Sequence, residues 1–202
     1  MTNLAGFGKP RRPRRGRRRG AAPGILMRWA VLLAAAAPGT APAAEAPPAE
    51  TAARTEEDQA RRARIDDMYR DYRRAFPEVP EVTAAELLAL PDTVPVILVD
   101  VRSEAERDVS VIPGAITPEE LRATGDRYRG HRVVCYCTIG YRSGVAARRL
   151  REEGWAAENL AGSLLAWVDE GGRLVDADGP TRRVHVYGRR WNLLPPGYEP
   201  VW

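Results

Sequence analysis

Cysteine and histidine are scarce in this chain of 202 residues, with two of each: Cys135 and Cys137, His131 and His185. Neither histidine stands at a ligand-like spacing from the cysteine pair, so no zinc pattern is present and no metal or other cofactor is expected. Long apolar runs are also lacking. The uncharged stretch Trp29 to Ala37 is too short to span a bilayer comfortably. Acidic residues are absent before Trp29, yet nine of the 31 basic residues lie there. The formal net charge of +4 therefore misleads, because Trp29 to Trp202 carries 22 basic against 27 acidic residues, a net charge of −5. That balance gives no ground for nucleic-acid binding.

What the first residues do contain is a basic region, a short apolar core and an Ala41-Pro42-Ala43 exit, the three parts of a secretory signal peptide over residues 1–43. Cleavage after Ala43 predicts a periplasmic or secreted protein, and an uncleaved leader would instead anchor it to the membrane. Met27-Arg28 followed by the apolar core is complete as a signal by itself, so Met27 is a candidate true start. No cysteine lies near the exit to carry a lipid, and Arg11-Arg12 is not followed by a twin-arginine pattern. Residues 44–55 are mostly Ala, Pro and Glu and read as a mobile linker.

A helix is predicted from about Glu56 to Ala75. Ile65, Met68, Tyr69, Tyr72 and Phe76 recur at spacings of three and four and form one apolar stripe, which suits an amphipathic helix (56–79 with its exit) packed on the edge of a domain. Thr83-Ala84-Ala85-Glu86 and Ser103-Glu104-Ala105-Glu106 are capping boxes, and Thr117-Pro118-Glu119-Glu120 opens a further helix with proline at its first position. Val96 to Val101 has the unbroken apolar character of a central parallel strand, with Asp100 and Arg102 at its carboxyl end. Those two charges either pair with each other or support whatever site lies there. Ala156 to Leu160 reads as a short strand, and Gly162-Ser163 begins a helix stopped by Gly171-Gly172. Strands alternating with helices argue an α/β fold, a parallel sheet covered on both faces.

The chemistry concentrates in one stretch. Val133 to Tyr136 is a buried strand, Cys137 stands at its carboxyl end, and Val145 to Glu153 is a helix ended by Gly154. Unpaired amides and the dipole at a helix N-terminus favour a thiolate, the reactive form of cysteine. A Cys137-x4-Arg142 loop can turn its backbone N–H groups onto the sulfur as an anion-binding nest, with Arg142 adding a planar fork of donors. Thiolate, nest and arginine fit transfer of a sulfur atom, with Cys137 holding it as a persulfide. Thr138, Ile139, Gly140, Tyr141, Arg142 and Ser143 are then the substrate-binding residues. The partners are a small anionic sulfur donor or a protein persulfide, and a thiol acceptor. Because Arg142 is the only charge in the loop, weak use of thiosulfate is expected.

Cys137-Thr138-Ile139-Gly140-Tyr141-Arg142-Ser143 resembles the active loop of single-domain rhodanese-like sulfurtransferases. Leu98-Val99-Asp100-Val101-Arg102 and Ile112-Pro113-Gly114-Ala115-Ile116 resemble their two upstream signatures, in the family's order. The resemblance covers residues 80–178 and implies a three-layer α/β/α fold with a central parallel sheet, and Cys137 as the catalytic residue. Many members carry His where this chain has Val111. Residues 179–202 extend beyond the family's domain, and Trp191, Tyr198 and Trp202 are expected to pack back onto it or to rim the Cys137 pocket. A catalytically weak binding or redox-sensing module is the competing reading. There Cys135, two residues before Cys137 on the same strand face, serves as a resolving thiol; otherwise Cys135 is a small core residue. A cysteine phosphatase or arsenate reductase would need one more residue in the loop.

Overall fold

Of the six α-helices among the described residues, four open on a Ser or Thr that closes a capping box, and the two that do not are the two that matter most for the site. The computed structural model describes residues 55–202; the expected leader over 1–43, the start at Met27 and nearly all of the linker lie outside the described residues. In chain order the elements are α1 (Glu56–Arg73), β1 (Glu81–Val82), α2 (Ala84–Leu88), β2 (Val96–Asp100), α3 (Glu104–Val109), α4 (Pro118–Ala123), β3 (Arg132–Tyr136) and α5 (Tyr141–Glu152). They continue with β4 (Ala157–Leu160), α6 (Ser163–Asp169), β5 (Leu174–Asp176), β6 (Gly179–Thr181), β7 (Arg183–His185) and β8 (Glu199–Val201), with a 3-10 turn at Arg189–Trp191. Thr55, Thr83, Ser103 and Thr117 cap α1 to α4. α5 and α6 start instead at Gly140 and Gly162, both left-handed and without a side-chain cap.

The main sheet is parallel throughout, in the order β1-β4-β3-β2. Period-two side chains split its core into two layers. Val134, Tyr136 and Leu160 face Ile65, Ile112, Leu164, Leu165 and Val184 on one side. Val133, Cys135 and Ala157 face Phe76, Ala147, Leu150 and Trp155 on the other. The expected α/β sandwich with both faces covered is what forms. α1 carries its stripe as predicted, with Ile65 and Tyr69 buried and Phe76 buried just past its end. At roughly 2 kcal/mol per fully buried large apolar side chain, that stripe is what binds α1 to the domain.

Two expectations need correction. Val96 to Asp100 is an edge strand of the sheet, not a central one. Its apolar run is explained by Ile116, which returns from the Ile-Pro-Gly-Ala turn: its amide donates to Leu98 O at 2.9 Å and its carbonyl accepts from the Asp100 amide at 2.8 Å. The edge is thereby covered. The helix after Cys137 begins at Tyr141, four residues earlier than its composition suggests, because Gly140 at φ 113° supplies the turn into it. β1, β5, β6 and β8 were not expected, being too short to show a period. The C-terminal extension is more regular than its proline content suggests, since β7 and β8 pair in parallel. Leu193 is buried and Trp191 and Tyr198 pack on the core, but Trp202 is 63% exposed.

Among the described residues no helix is long and apolar enough to cross a membrane. α5 packs closely on Phe76: a Cβ at Gly144 would lie 2.3 Å from two Phe76 ring carbons. Phe76 is wholly buried and has no room to swing away. Gly144→Ala is therefore expected to cost about 1–3 kcal/mol by overpacking and to lower the melting temperature by several degrees in a thermal scan.

Candidate active site

Cys137 follows β3 directly and lies between the N-termini of α5 and α6. The loop binds both. The carbonyls of Cys137 and Thr138 accept the Leu164 and Leu165 amides, each at 3.1 Å, and so fill the role of the cap that α6 lacks. With those carbonyls turned to α6, amides are left for the sulfur. The Gly140 N–H donates to Cys137 Sγ at 3.2 Å, and the Ser143 hydroxyl lies 3.5 Å from the same atom. Gly140 is held in turn by Asn159, whose Nδ2 donates to Gly140 O at 3.0 Å and to the Tyr69 hydroxyl at 3.1 Å. A side chain at Gly140 would meet the Tyr69 ring at 2.6 Å, so this turn has both a conformational and a steric need for glycine.

A second hydroxyl completes the cradle. Ser163 Oγ accepts the Cys137 amide at 3.1 Å, lies 3.2 Å from Ser143 Oγ and donates to Leu160 O at 3.2 Å. Ser163 is fully buried and sits at φ 48°, alone among the described non-glycine residues in having positive φ. Strain of that kind, on the order of 1–2 kcal/mol, persists only where the surroundings hold it. Here the hydroxyl contacts do so.

These contacts decide the state of the sulfur. Burial alone would push the Cys137 thiol up. The Ser143 hydroxyl and amide, the Arg142 charge and the Gly140 amide together outweigh it, and the thiol falls below its ordinary value. Cys135 has no such partners. It sits in the apolar layer with Val133 and Leu150, and burial, with the nearby Cys137, pushes it up to about 12. Both cysteines are free. Cys135 therefore occupies the place of a core residue, and the resolving-thiol reading meets a physical obstacle: a thiol with that acidity and no exposure supplies almost no nucleophile.

Arg142 has a partner that the loop alone does not show. Its fork does not point unoccupied at an incoming oxyanion. Nη1 and Nη2 donate to the two carboxylate oxygens of Glu106 at 2.7 and 2.6 Å, and Nη2 also donates to Thr138 Oγ1 at 3.3 Å. Glu106 is buried, and its carboxyl, whose burial alone would raise it, is held down to about 2 by Arg142 and by the Ser103 amide and hydroxyl of its capping box. Asp100 and Arg102 pair with each other, with Arg102 Nε 2.9 Å and Nη2 2.6 Å from the two carboxylate oxygens. Neither bonds Cys137. Arg102 instead donates to the backbone carbonyls of Glu106 at 3.4 Å and Ser110 at 2.6 Å, which steadies α3 from behind.

Glu106, Ser163 and Asn159 are thus parts of the site that the sequence did not reveal; of its rim, Tyr141 and Trp191 were expected there and Tyr72 and Tyr187 were not. A cavity of about 290 Å³ opens above Cys137, Thr138 and Ile139, walled by Tyr72, Tyr141, Tyr187, Trp191 and Arg142. The Arg142 guanidinium lies over the Tyr187 ring at 5.5 Å. A larger groove of about 410 Å³ lies on the other side of Tyr141 and Arg142, against α4 and α5, but its walls hold no nucleophile. Among the described residues no group of His, Cys, Asp and Glu is arranged to hold a metal ion.

Comparison with known proteins agrees with this geometry. The Rhodanese-like domain family matches residues 83–170. A sulfurtransferase of Allochromatium vinosum is 35% identical over 94 residues, covering 45% of this chain and 88% of that protein. The chain belongs to the rhodanese-like family. Similar solved structures include a thiosulfate sulfurtransferase of Pseudomonas aeruginosa, 21% identical with a TM-score of 0.46 over 56% of this chain. The chain spans only 23% of that protein's length. A rhodanese-like domain protein of Staphylococcus aureus is 30% identical with a TM-score of 0.40, covering 46% of this chain and 96% of its own.

Two outcomes follow from the geometry. Ser163→Gly removes the backbone strain together with the hydroxyl, so the melting temperature should hold or rise while Cys137 becomes a weaker acid. A lost orienting bond of about 1 kcal/mol moves the midpoint of the iodoacetamide rate-against-pH curve up by ~0.7 pH unit. Arg142→Ala leaves the buried Glu106 carboxylate unpaired and should cost about 3 kcal/mol at pH 7 in urea unfolding. Because the Glu106 carboxyl is depressed in the fold, its stabilisation is complete above its unfolded value of 4.5 and is lost as the pH falls toward about 2. The gap between wild type and variant should accordingly shrink at pH 3.

Proposed function

We propose that this protein is a sulfurtransferase that carries a sulfane sulfur as a persulfide on Cys137. The observation that carries the reading is the setting of Cys137 Sγ: a buried sulfur held by the Gly140 amide and the Ser143 hydroxyl, at the floor of a cavity with room for a donor. In the first half-reaction the thiolate attacks the outer sulfur of the donor. An S–S bond forms, and the bond to the donor's remainder breaks with its electron pair leaving on that remainder. In the second, an acceptor thiolate attacks the outer persulfide sulfur and the Cys137 thiolate departs. No proton moves between thiolates, so the site needs no general base, which fits a cavity that has Arg142 as its one charged wall and no histidine.

The persulfide bears the same single negative charge as the thiolate, displaced by one atom toward the cavity. The amides at the start of α5 and the Arg142 charge serve both states. Delivery to the periplasm or beyond, argued from the leader, and a thiol acceptor complete the proposal. The redox-module alternative has no comparable support, because Cys135 lies in the core and out of the cavity lining.

Intact-mass spectrometry tests it. After exposure to excess thiosulfate or an organic thiosulfonate, the protein should gain about 32 Da, one persulfide sulfur. Cyanide should remove it. Cys137→Ser should abolish the gain, and Cys135→Ala should keep it. A Cys135-dependent loss of two protons with no added sulfur would overturn the reading in favour of a redox module.

A further inference from the structure

The charges and rings around Cys137 say which donors the cavity suits. Arg142 is the only cation among the walls, and it is matched one to one by Glu106, which stays ionised throughout the physiological range. With Cys137 as a thiolate the group Arg142, Glu106 and Cys137 carries a net charge of −1. The outward face of the guanidinium is taken as well, being stacked on Tyr187. A dianion such as thiosulfate entering this cavity would approach a net negative site with no free counter-charge, in a setting where water screens poorly.

The walls suit a different body. Tyr72 and Tyr141 form one tilted pair with centroids 5.5 Å apart, and Tyr187 and Trp191 form an edge-on pair at the same distance. Ile139, Thr138, Cys137 and Arg142 complete the lining, which is more apolar than polar. Flat apolar groups gain from such walls both by burial and by ring–ring contact.

Resting on the persulfide reading above, we propose that the physiological donor is an organic sulfane-sulfur carrier with an aromatic or otherwise flat apolar body, seated between the Tyr72–Tyr141 and Tyr187–Trp191 pairs, and is not thiosulfate. The carrier's outer sulfur reaches Cys137 Sγ at the cavity floor while its body displaces water from the rings. Attack forms the Cys137 persulfide, and the carrier leaves with the electron pair of the broken bond. The exclusion of thiosulfate rests first on the Glu106 pairing of Arg142 and the preference for a ring on the four aromatic walls, so Glu106 and the rings are tested by different substitutions.

Three donors with the same kind of transferable sulfur supply the test: thiosulfate, a dianion; methanethiosulfonate, a small monoanion; and benzenethiosulfonate, an aromatic monoanion. Each reacts as thiolate plus donor to give persulfide plus sulfite or sulfinate, so atoms and charge balance in every case. The expected order of kcat/KM, with cyanide as acceptor, is benzenethiosulfonate, methanethiosulfonate, thiosulfate, with about tenfold or more between the first and the last. Tyr187→Ala, at an exposed position, should lower the ratio of the benzenethiosulfonate value to the methanethiosulfonate value severalfold. Glu106→Gln removes the negative charge and should raise thiosulfate relative to benzenethiosulfonate. Thiosulfate used as well as the aromatic donor, or Tyr187→Ala lowering both thiosulfonates alike, overturns the proposal while leaving the persulfide mechanism in place. Absence of a persulfide mass from all three donors removes the sulfur-transfer reading itself, and this proposal with it.

Discussion

A buried anion with little charge to balance it is the constraint on which the rest of the structure depends. Cys137 is almost completely shielded from water, and its nearest cation is already committed to Glu106. The thiolate is therefore held mainly by dipoles: the Gly140 and Ser143 amides at the start of α5 and the Ser143 hydroxyl. Dipoles hold an anion only if they cannot rotate away, and the surrounding contacts prevent this. Asn159 fixes Gly140, α6 pulls back the loop carbonyls, and Ser163 accepts a strained backbone to keep its hydroxyl beside Ser143. On the proposed mechanism, fixed dipoles in a dry site need no reorganisation when charge moves from thiolate to persulfide.

The same constraint explains why two helices have no side-chain cap. A Ser or Thr cap turns its oxygen toward the first amides of a helix and satisfies them. At α1 to α4 this occurs, and those N-termini are spent. At α5 and α6 glycine leaves the amides available, to the sulfur in one case and to the loop carbonyls in the other. An oxygen-bearing cap at position 140 would compete with the sulfur for the same donors.

How much of this was legible in the sequence follows from how local each feature is. The Cys137 loop reads directly because strand, nucleophile, glycine turn and helix are contiguous, and within it the Gly140 amide and the Ser143 hydroxyl reach the sulfur. The parallel α/β order and the α1 stripe read for the same reason. Glu106 was visible only as the third residue of a capping box, and it does close that box, at 3.0 Å to the Ser103 amide. Nothing local marks that its carboxylate also meets Arg142, 36 residues on. That contact depends on Arg102, bound to Asp100 at the end of β2, holding the backbone of α3, a tertiary arrangement. Ser163 read as a helix start and is one, but its positive φ and its reach to Cys137 depend on β4 lying beside β3. The pairing of Arg142 with Glu106 was out of reach for this reason: a fork of donors in a loop says nothing about what already fills it.

The division of labour within the chain follows sequence boundaries. Every group that touches the sulfur lies within the family's segment, residues 83–170. Three of the four rings that wall the cavity do not: Tyr72 comes from α1, before that segment, and Tyr187 and Trp191 come from the extension after it. The extension is held in place by the parallel pairing of β7 with β8 and by Leu193 in the core, and β7 also brings a His185 ring nitrogen to 3.8 Å from Glu106. A bare domain of residues 83–170 would leave Arg142 open on its Tyr187 side and the sulfur under a shallower, wetter opening. The added segments thus lower the polarity of the entrance without touching the reacting atoms. On the proposed reading, sulfur chemistry and most of the donor-facing wall come from different stretches of chain and can vary separately.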